Sequence, residues 1–391
     1  MEYFQVEHSQ DEYPRVERPQ DEYPRDEYPR DEYPRAERPF ARKKTKKIRV
    51  GSRFIGGDAP ISVQSMTNTD TCNVDGTVKQ VKRLEDAGCD IVRVAVPGNE
   101  AALAIKAIKS AVKIPVVADI HFNYRLAIAS IENGADKIRI NPGNIGGEDK
   151  LRRVVEAAKS NGIPIRVGVN SGSVEKDMLK KYGGITPECM VESALRHVSL
   201  MENLGFKDIV ISLKASSVPM TIASYRLISQ KVDYPLHLGV TEAGTMFRAT
   251  VKSAAALGCL LAEGIGDTIR VSITGDPVEE VRVGREILRA LEIERKGIEI
   301  ISCPTCGRCR IDLVKITNIL EDKLKDCRKN IKVAVMGCGV NGPGEAKEAD
   351  IGVAGGNDEA LLFKKGKVMC KVPQDQIADV LLREIENMDS T

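Results

Sequence analysis

The sequence predicts an α/β protein in which a TIM (β/α)8 barrel is followed by a small α+β domain and preceded by a disordered tail. Eight short β-branched runs alternate with amphipathic stretches over about 230 residues, the length that such a barrel needs. About a hundred residues with a different order of strands and helices follow the eighth run. The first 40 residues repeat a proline-containing pentapeptide.

The eight predicted strands are rich in β-branched residues and are separated by turn residues or helical segments. In chain order they are ISVQSMT (from residue 61), IVRVAV (91), VVADI (116), KIRINP (137), IRVGVN (165), IVISLK (209), LHLGVTE (236) and TIRVSI (268). A doubly wound sheet is the competing architecture. Its nucleotide-binding forms are disfavoured, because no G-x-G-x-x-G follows the first strand and no G-x-x-x-x-G-K-[ST] occurs.

A second unit is predicted after Leu291. Its elements are a strand in IEIIS, a helix in IDLVKITNILEDKLK, a strand in IKVAVMG, a hairpin through ALLFKKGKVMCKV and a final helix. This is a reasonable size and content for a small α+β domain. We therefore place the tail at residues 1–44, the barrel domain at 45–295 and the α+β domain at 296–391.

The tail contains DEYPR four times, and proline recurs at every fifth position from 14 to 39. This spacing excludes a helix or a central strand. The segment holds 6 Arg and 12 Asp or Glu, and such a low-complexity acidic tract is typical of disorder. A docking tail with regularly spaced tyrosines is the alternative.

The charge and hydrophobic content limit the function classes. The formal net charge is +2, and the body after the acidic tail is only mildly basic, which argues against nucleic acid but suits a small anionic substrate. The longest apolar stretch, residues 254–262, is far shorter than the roughly 20 residues of a membrane span. With no basic-then-apolar leader at the N-terminus, we expect a cytoplasmic protein without membrane contact.

Polar and charged side chains lie near the C-terminal end of nearly every predicted barrel strand, the end that faces the active site. They are Arg93, Asp119, His121, Arg139, Asn141, Asn170, Lys214, His237, Glu242, Arg270 and Ser272. Arginine within an apolar strand is costly unless an anion or an acid pairs with it. Three arginines and a lysine at one opening therefore indicate a multiply charged ligand, and guanidinium groups favour phosphate.

The alternative is that each arginine neutralises a buried acid of the barrel. The strands supply only Asp119 and Glu242 as opposing acids, which is too few for four cations. The loop NPGNIGGEDK after the fourth strand fits a phosphate-binding turn that leads into a helix, although glycine-rich loops are common. Among the histidines, His197 falls in a predicted helix and is interpreted as structural.

The ten cysteines comprise six scattered residues, to which no role is assigned, and a cluster. Cys303 and Cys306 form a C-x-x-C motif between a strand and a helix, and Cys338 follows about thirty residues later on a glycine-rich loop. A zinc ribbon would need a second C-x-x-C pair, whereas an iron–sulfur cluster tolerates mixed ligand spacing. The pattern favours a cluster, with structural zinc as the alternative.

Six motifs in order carry a family resemblance: PISVQSMT, KIRINPGNIG, PLHLGVTEAG, EGIGDTIRVS, CPTCGR and GCGVNGPGE. Together, over roughly residues 45–390, they resemble the 4-hydroxy-3-methylbut-2-enyl diphosphate synthases of the non-mevalonate isoprenoid pathway, in their two-domain bacterial form. The resemblance implies a barrel that binds methylerythritol cyclodiphosphate and a small domain that carries a [4Fe-4S] cluster. It also implies reductive ring opening with two electrons from flavodoxin or ferredoxin.

The resemblance also assigns roles to residues of this chain. It implies that Cys303, Cys306 and Cys338 ligate the cluster and that Glu345 takes the fourth position. It places Arg93, Arg139, Lys214, Arg270 and Ser272 against the diphosphate, with Asn144 less certainly placed, and makes Glu242 the acidic catalytic residue. Cys309, which we expect in the first turn of the next helix, leaves the fourth ligand open.

The resemblance further implies a homodimer in which the cluster of one chain closes over the barrel of the other. Two other functions remain open. One is an iron–sulfur electron carrier without catalysis, for which a cationic barrel opening would be unnecessary. The other is a non-redox barrel enzyme resembling dihydropteroate synthase, with a structural zinc in its second domain.

The tail is expected to be dispensable, because its prolines and its net charge of −6 leave it nothing to pack. Deleting residues 2–40 should leave turnover within a few-fold of the full chain, measured in parallel at equal concentration. A larger loss would show that the repeats have a role in activity.

Overall fold

The computed structural model describes residues 41–294, 297–325, 327, 329–339 and 349–388. The repeats of the predicted tail and the proposed ligand Glu345 lie outside the described residues. The described chain is tied to the barrel from its beginning. Arg42 Nη2 bonds Asp267 Oδ1 at 2.8 Å, and the backbone N–H of Lys43 donates to Gly264 O at 2.9 Å.

A short hairpin precedes the barrel and was not predicted. Its strands are β1 (Ile48–Val50) and β2 (Arg53–Ile55), which pair antiparallel. Ile48, Val50 and Ile55 are buried against three residues from the N-terminal ends of barrel strands, namely Ile91, Val117 and Val210. The hairpin therefore covers the lower end of the barrel and leaves the C-terminal ends of the strands as its opening.

The eight predicted strands form one parallel sheet. They are β3 (Ser62–Met66), β4 (Ile91–Ala95), β5 (Val116–Asp119), β6 (Lys137–Ile140), β7 (Ile165–Asn170), β8 (Ile209–Lys214), β9 (His237–Leu238) and β10 (Thr268–Ile269). The sheet order is β8-β7-β6-β5-β4-β3-β10-β9, and a parallel bridge between Ile211 and Leu236 joins its two edges. The predicted TIM barrel is thus confirmed, with a seventh and an eighth strand shorter than their sequence runs.

Helices surround the barrel and pack on the outward-facing residues of the strands. They are α1 (Val74–Asp86), α2 (Asn99–Ala111), α3 (Tyr124–Glu132), α4 (Glu148–Asn161), α5 (Lys176–Tyr182), α6 (Pro187–Asn203), α7 (Val218–Ser229), α8 (Met246–Ala262) and α9 (Pro277–Ala290). Several begin where the sequence offers a cap. Thr186 and Asp276 each accept a backbone N–H of the first turn, and a proline follows each of them at the first helical position.

The second domain has a five-stranded sheet in the order β11-β12-β13-β14-β15. Its elements are β11 (Ile298–Ser302), α10 (Leu313–Leu324), β12 (Ile331–Met336), β13 (Ile351–Gly355), β14 (Glu359–Lys364), β15 (Lys367–Pro373) and α11 (Ile377–Glu386). The first three strands are parallel, and the last two add antiparallel. Strand β13 was not predicted. Helices α10 and α11 pack on one face of this sheet and form a core separate from that of the barrel.

No helix among the described residues has the length and apolar content of a membrane span.

Candidate active site

The barrel interior is unusually cationic. Side chains of a strand alternate between the two faces of the sheet, so residues two apart on one strand both point inward. Six basic residues lie at inward positions: Arg93, Lys137, Arg139, Arg166, Lys214 and Arg270. All but Arg270 are less than a tenth exposed. Four of these residues were predicted from the sequence, whereas Lys137 and Arg166 were not.

Two carboxylates face these cations. Asp119 Oδ1 lies 3.3 Å from Arg139 Nη1, and its Oδ2 lies 3.8 Å from Arg93 Nε. Glu280, on helix α9, accepts from Arg270 Nη2 at 3.0 Å. Glu280 was not predicted as a partner, because it lies on a helix and not on a barrel strand. The reading that each arginine neutralises an acid therefore fits Arg270, whereas Arg93 and Arg139 must share one carboxylate.

The pKa of Asp119 is well below its usual range. Burial alone would raise it, but the charge of Arg93, a hydrogen bond from His121 and the charges of Arg139 and Arg166 outweigh that effect. Burial lowers the pKa of Arg93 to about 10, although Asp119 opposes the shift. Both groups are therefore charged at neutral pH, and the pair is a fixed part of the site.

Lys137 and Arg166 lie in the lowest layer of the barrel, level with Val117 and Val210 above the hairpin. They are 0% and 1% exposed, and Lys137 Nζ and Arg166 Nε and Nη1 have no hydrogen-bond partner among the described residues. Burial, together with neighbouring cations, lowers the pKa of both side chains and of Lys214 well below their usual values. Several buried hydrogen-bond donors without a partner cost folding free energy unless an anion or water accepts from them.

His237 also belongs to the barrel interior. It is fully buried, its Nδ1 lies 3.0 Å from Thr268 Oγ1, and its Nε2 has no partner among the described residues. Burial, followed by the charges of Arg166, Lys214, Lys137 and Arg93, lowers the pKa of His237 well below its ordinary value. The imidazole is therefore neutral at physiological pH and is a poor proton donor.

Two glycines make room for the cations. A Cβ on Gly168 of β7 would lie 2.6 Å from Arg139 Nε, and one on Gly239 would lie 2.8 Å from Lys214 Nζ. Any larger side chain at these positions would displace the cation. These glycines therefore allow the neighbouring basic side chains to reach inward, a role that the sequence analysis did not assign to them.

The loop after β6 has the form of an anion-binding turn. Asn141 is 3% exposed; its Oδ1 accepts from the Gly143 N–H at 3.1 Å, and its Nδ2 lies 3.3 Å from Ser173 Oγ. Asn144 follows in a 3-10 turn and is half-buried. Gly146 and Gly147, with φ of 97° and 104°, then lead into α4. Asn170 lies at the end of β7 beside Ser173, whose Oγ accepts from its N–H at 3.2 Å.

The remaining predicted residues lie on loops at the opening of the barrel. His121 is exposed, with its Nε2 3.4 Å from Asp119 Oδ2. Ser272 is half-buried just beyond β10. Glu242 is exposed after β9 and has a φ of 52°, a conformation uncommon for a residue other than glycine. The structure therefore brings the barrel candidates to one end, with Glu242 and His121 more exposed than the cations.

His197, interpreted as structural, supports this end of the barrel from outside. Its Nε2 lies 2.7 Å from Glu175 Oε1, and Ser193 Oγ donates to Glu175 Oε2 at 2.6 Å. The bond from His197, with that from Ser193, overcomes the effect of burial and lowers the pKa of Glu175 to about 2. This contact joins α6 to the segment after β7, next to Gly143.

The clustered cysteines lie where β11 and β12 end. The Gly337 N–H donates to Cys303 Sγ at 3.2 Å, and Cys338 follows directly. Cys306 is exposed, whereas Cys303 and Cys338 are half-buried. Cys309 Sγ donates instead to Ile311 O at 3.2 Å. Cys309 was expected in the first turn of the next helix, which is wrong: α10 begins at Leu313, and Cys309 lies in the preceding turn because its N–H bonds Cys306 O.

Cys303, Cys306 and Cys338 fit an iron–sulfur cluster in their chemistry. Thiolate sulfur is the usual ligand, and an N–H bonded to a ligand sulfur, as at Gly337, is a common feature of such sites. Within the described ranges, no three cysteine, histidine or acidic side chains come close enough to hold a single metal ion.

Comparison with known proteins gives a consistent result over nearly the whole described chain. A family model for the GcpE TIM-barrel domain matches residues 45–285, and one for the GcpE protein C-terminal domain matches residues 299–387. A protein of Ruminiclostridium cellulolyticum named 4-hydroxy-3-methylbut-2-en-1-yl diphosphate synthase (flavodoxin) is 64% identical, over 89% of this chain and 98% of that protein. A protein of Geobacter sulfurreducens with the same name is 57% identical over the same shares.

Solved structures match the barrel only weakly. Dihydropteroate synthase of Yersinia pestis has a TM-score of 0.45 at 14% identity, over 63% of this chain and 97% of that one. Type I 3-dehydroquinate dehydratase of Clostridium difficile has a TM-score of 0.48 at 14% identity, over 63% of this chain and 98% of that one. Neither match supports a conclusion about function.

Replacing Lys137 by methionine should raise the free energy of unfolding of the protein without ligand but lower its affinity for an anion. A lysine has a pKa of about 10.4 in an unfolded chain, so the unfolded state binds more protons than the fold, and stability should rise with pH toward that value. Lys137→Met removes this contribution. Urea unfolding at pH 7 should show a gain on the order of 1 kcal/mol, a gain that shrinks by pH 9.

In the same variant, calorimetry should show weaker binding of inorganic pyrophosphate than in the unmodified protein. Lys106→Met, at an exposed position of α2, is the matched control and should change neither quantity. A destabilised Lys137→Met variant with normal affinity for pyrophosphate would contradict this view of the barrel.

Proposed function

This chain belongs to the GcpE family, and from that membership we propose that it opens the ring of 2-C-methyl-D-erythritol 2,4-cyclodiphosphate reductively to give 4-hydroxy-3-methylbut-2-enyl diphosphate. The reaction belongs to the non-mevalonate isoprenoid pathway and consumes two electrons. The enzyme is an iron–sulfur oxidoreductase. The family that the six sequence motifs predicted is confirmed.

The observation that carries this proposal is the charge of the barrel interior. Six basic side chains face two carboxylates, and three of the basic groups have no acidic partner among the described residues: Lys137, Arg166 and Lys214. A diphosphate carries several negative charges and many acceptor oxygens, which match both the charge and the unused donors. A neutral substrate would leave both uncompensated.

We propose that the cyclic diphosphate binds with its phosphates toward the six basic side chains of the barrel interior, Arg93, Lys137, Arg139, Arg166, Lys214 and Arg270. Ser272, Asn141, Asn144 and Asn170 would then donate from the loops above, and Asp119 would fix the two arginines that share it. In this arrangement the carbon skeleton of the substrate lies nearer the opening. His121 and His237 are proposed as flanking contacts.

Glu242 is the residue proposed to supply a proton. The ring carbon–oxygen bond breaks with its oxygen retained on the diphosphate, while a carbon-bound hydroxyl leaves as water, with two electrons and two protons consumed. That hydroxyl must be protonated to depart, and a carboxyl group at the opening can deliver the proton. His237 is less suited, since it is fully buried and held neutral by the surrounding cations. The exposed position and the uncommon backbone of Glu242 support this division of roles.

Cys303, Cys306 and Cys338 are proposed as three ligands of a [4Fe-4S] cluster, with Glu345 as the fourth. When bound, such a cluster supplies electrons singly to the substrate. Cys309 is not proposed as a ligand; its thiol donates to Ile311 O at 3.2 Å. A carboxylate is also a harder ligand than a thiolate and is displaced more readily.

The division into residues 45–295 and 296–391 is likewise a proposal, supported by the separate hydrophobic cores of the barrel and the second sheet. The electron donor is proposed to be flavodoxin or ferredoxin, and the relatives carry flavodoxin in their names. A homodimer with an active site shared between chains, a cytoplasmic location, and no binding of nucleic acid or membrane remain predictions.

The competing functions are not favoured. A dihydropteroate-synthase-like enzyme with structural zinc has no support from the matching family models or from the relatives at 57% to 64% identity. An electron carrier without catalysis would not need the buried cations of the barrel.

Anaerobic incubation with the cyclic diphosphate and reduced flavodoxin, followed by mass spectrometry, tests the activity. Absence of the linear diphosphate with a fully loaded cluster would refute it.

Glu242→Gln should retain the cluster and bind substrate but lose about a hundredfold or more in turnover, because the amide cannot donate the proton. Single-turnover rates and substrate affinity should be measured on the same sample. Glu132→Gln, at an exposed position at the end of α3, should behave like the unmodified enzyme. A Glu242→Gln variant with a normal rate would assign the proton to another group.

Cys309→Ser should keep iron content, visible absorbance and activity, because Cys309 is not proposed as a ligand. Glu345→Ala should retain a cluster that is lost faster in air and should have little activity. Iron and sulfide analysis, with absorbance followed over time, distinguishes the two variants. Loss of the cluster in Cys309→Ser, together with a fully active Glu345→Ala, would instead favour four cysteine ligands.

A further inference from the structure

A histidine and a carboxylate lie next to the turn that follows β6. His197 lies on α6 and is 2% exposed. Its Nε2 lies 2.7 Å from Glu175 Oε1, and Ser193 Oγ, on the same helix, donates to Glu175 Oε2 at 2.6 Å. Because a carboxylate can only accept, His197 Nε2 carries the proton of this hydrogen bond. Both oxygens of Glu175 are therefore bonded to side chains of α6.

The turn packs on this pair at Gly143. A Cβ at position 143 would lie 3.2 Å from His197 Nε2 and 3.5 Å from Glu175 Oε1. It would also lie 3.4 Å from Asn141 Oδ1, which accepts from the Gly143 N–H at 3.1 Å. The backbone of the turn therefore contacts the imidazole and the carboxylate directly, and glycine is the residue that permits this close approach.

The turn has little support of its own. The Asn144 N–H donates to Asn141 O at 2.9 Å, but two glycines with φ of 97° and 104° follow, and α4 begins without a side-chain cap. Glycines add conformational freedom to a segment that other contacts do not fix. Asn141 Nδ2 lies 3.3 Å from Ser173 Oγ, two residues before Glu175. The position of Asn141 thus depends on contacts with the segment that carries Glu175.

We propose that His197 is a positioning residue for the substrate: its bond to Glu175 holds the turn of residues 141–144 in the form that binds a phosphate group. The proposal rests on the function proposed above, in which the asparagines of this turn donate to the cyclic diphosphate. His197 lies on a helix outside the barrel and is buried, so it acts through the turn. Its loss should therefore reduce substrate affinity more than the rate of the chemical step.

The charge of Glu175 makes the bond from His197 more important. Burial would raise the pKa of Glu175, but the hydrogen bonds from His197 and Ser193 outweigh that effect and lower it to about 2. Glu175 is therefore negatively charged at neutral pH, beside a turn proposed to bind an anion. The imidazole N–H bonds the carboxylate oxygen that lies closest to Gly143. Without that donor, a negative charge with one unpaired oxygen would adjoin the phosphate site and oppose binding.

The main test compares His197→Leu with His197→Gln in the cluster-loaded protein. Leucine removes the donor, whereas the glutamine amide can place an N–H near the position of Nε2. In His197→Leu, KM for the cyclic diphosphate and the calorimetric Kd for inorganic pyrophosphate should each rise about tenfold, the effect of one hydrogen bond to a charged group. Its kcat should stay within about threefold of the unmodified protein. His197→Gln should recover most of the affinity for both ligands.

Gly143→Ala tests the same contact from the side of the turn. Gly143 is exposed in a 3-10 turn, so its backbone accepts alanine, but the new Cβ would press on His197 Nε2. The Kd for pyrophosphate should rise several-fold, and the double variant with His197→Leu should bind about as weakly as the weaker single variant. Met201→Ala, buried one turn further along α6, is the matched control. It should lower the urea midpoint but leave both affinities unchanged.

Normal KM and pyrophosphate affinity in a folded His197→Leu variant would overturn the proposal. An equal loss of affinity in Met201→Ala would also overturn it, because the effect would then follow from lower stability alone. If His197→Leu does not fold, normal pyrophosphate affinity in Gly143→Ala would have the same consequence. Failure of the proposed function looks different: the unmodified, loaded protein would make no linear diphosphate, while pyrophosphate would still bind more weakly to His197→Leu.

Discussion

The concentration of positive charge inside the barrel is the constraint on which the rest of the structure depends. Lys137, Arg166 and Lys214 are buried without an acidic partner among the described residues, so the empty fold carries an electrostatic cost that a bound anion relieves. The surrounding features support this arrangement. Gly168 and Gly239 leave space for the cations, and Asp119 holds two arginines in place. The buried cations therefore lower the stability of the empty protein and raise its affinity for an anion, a combination common at functional sites.

The eight barrel strands could be predicted because their β-branched runs and helical spacing are local properties of the chain. The hairpin of β1 and β2 could not, since three-residue strands carry too little pattern. Missing the hairpin also hid Lys137 and Arg166. A basic residue at the beginning of a strand is ordinarily solvent-exposed, whereas these two side chains are buried beside Val117 and Val210, which pack on the hairpin.

The residues at the strand ends were predictable for a related reason: the barrel gathers the C-terminal ends of its strands at one opening. Partners from outside the strands were not predictable. Glu280, on α9, accepts a hydrogen bond from Arg270, but their separation in the sequence does not predict that the two side chains meet. The cysteines show the same limit, since spacing indicated their chemistry but placed Cys309 in a helix that begins four residues later.

The hairpin at the base has a consequence for the order of events in turnover. With the lower end covered and the interior filled by side chains, the barrel has a single way in and out. Substrate and product are both diphosphates, so the same cations attract both. A newly formed product therefore occupies the position that the next substrate needs, and the enzyme is subject to competition from its own product. Strong attraction for the incoming anion thus slows the departure of the outgoing one.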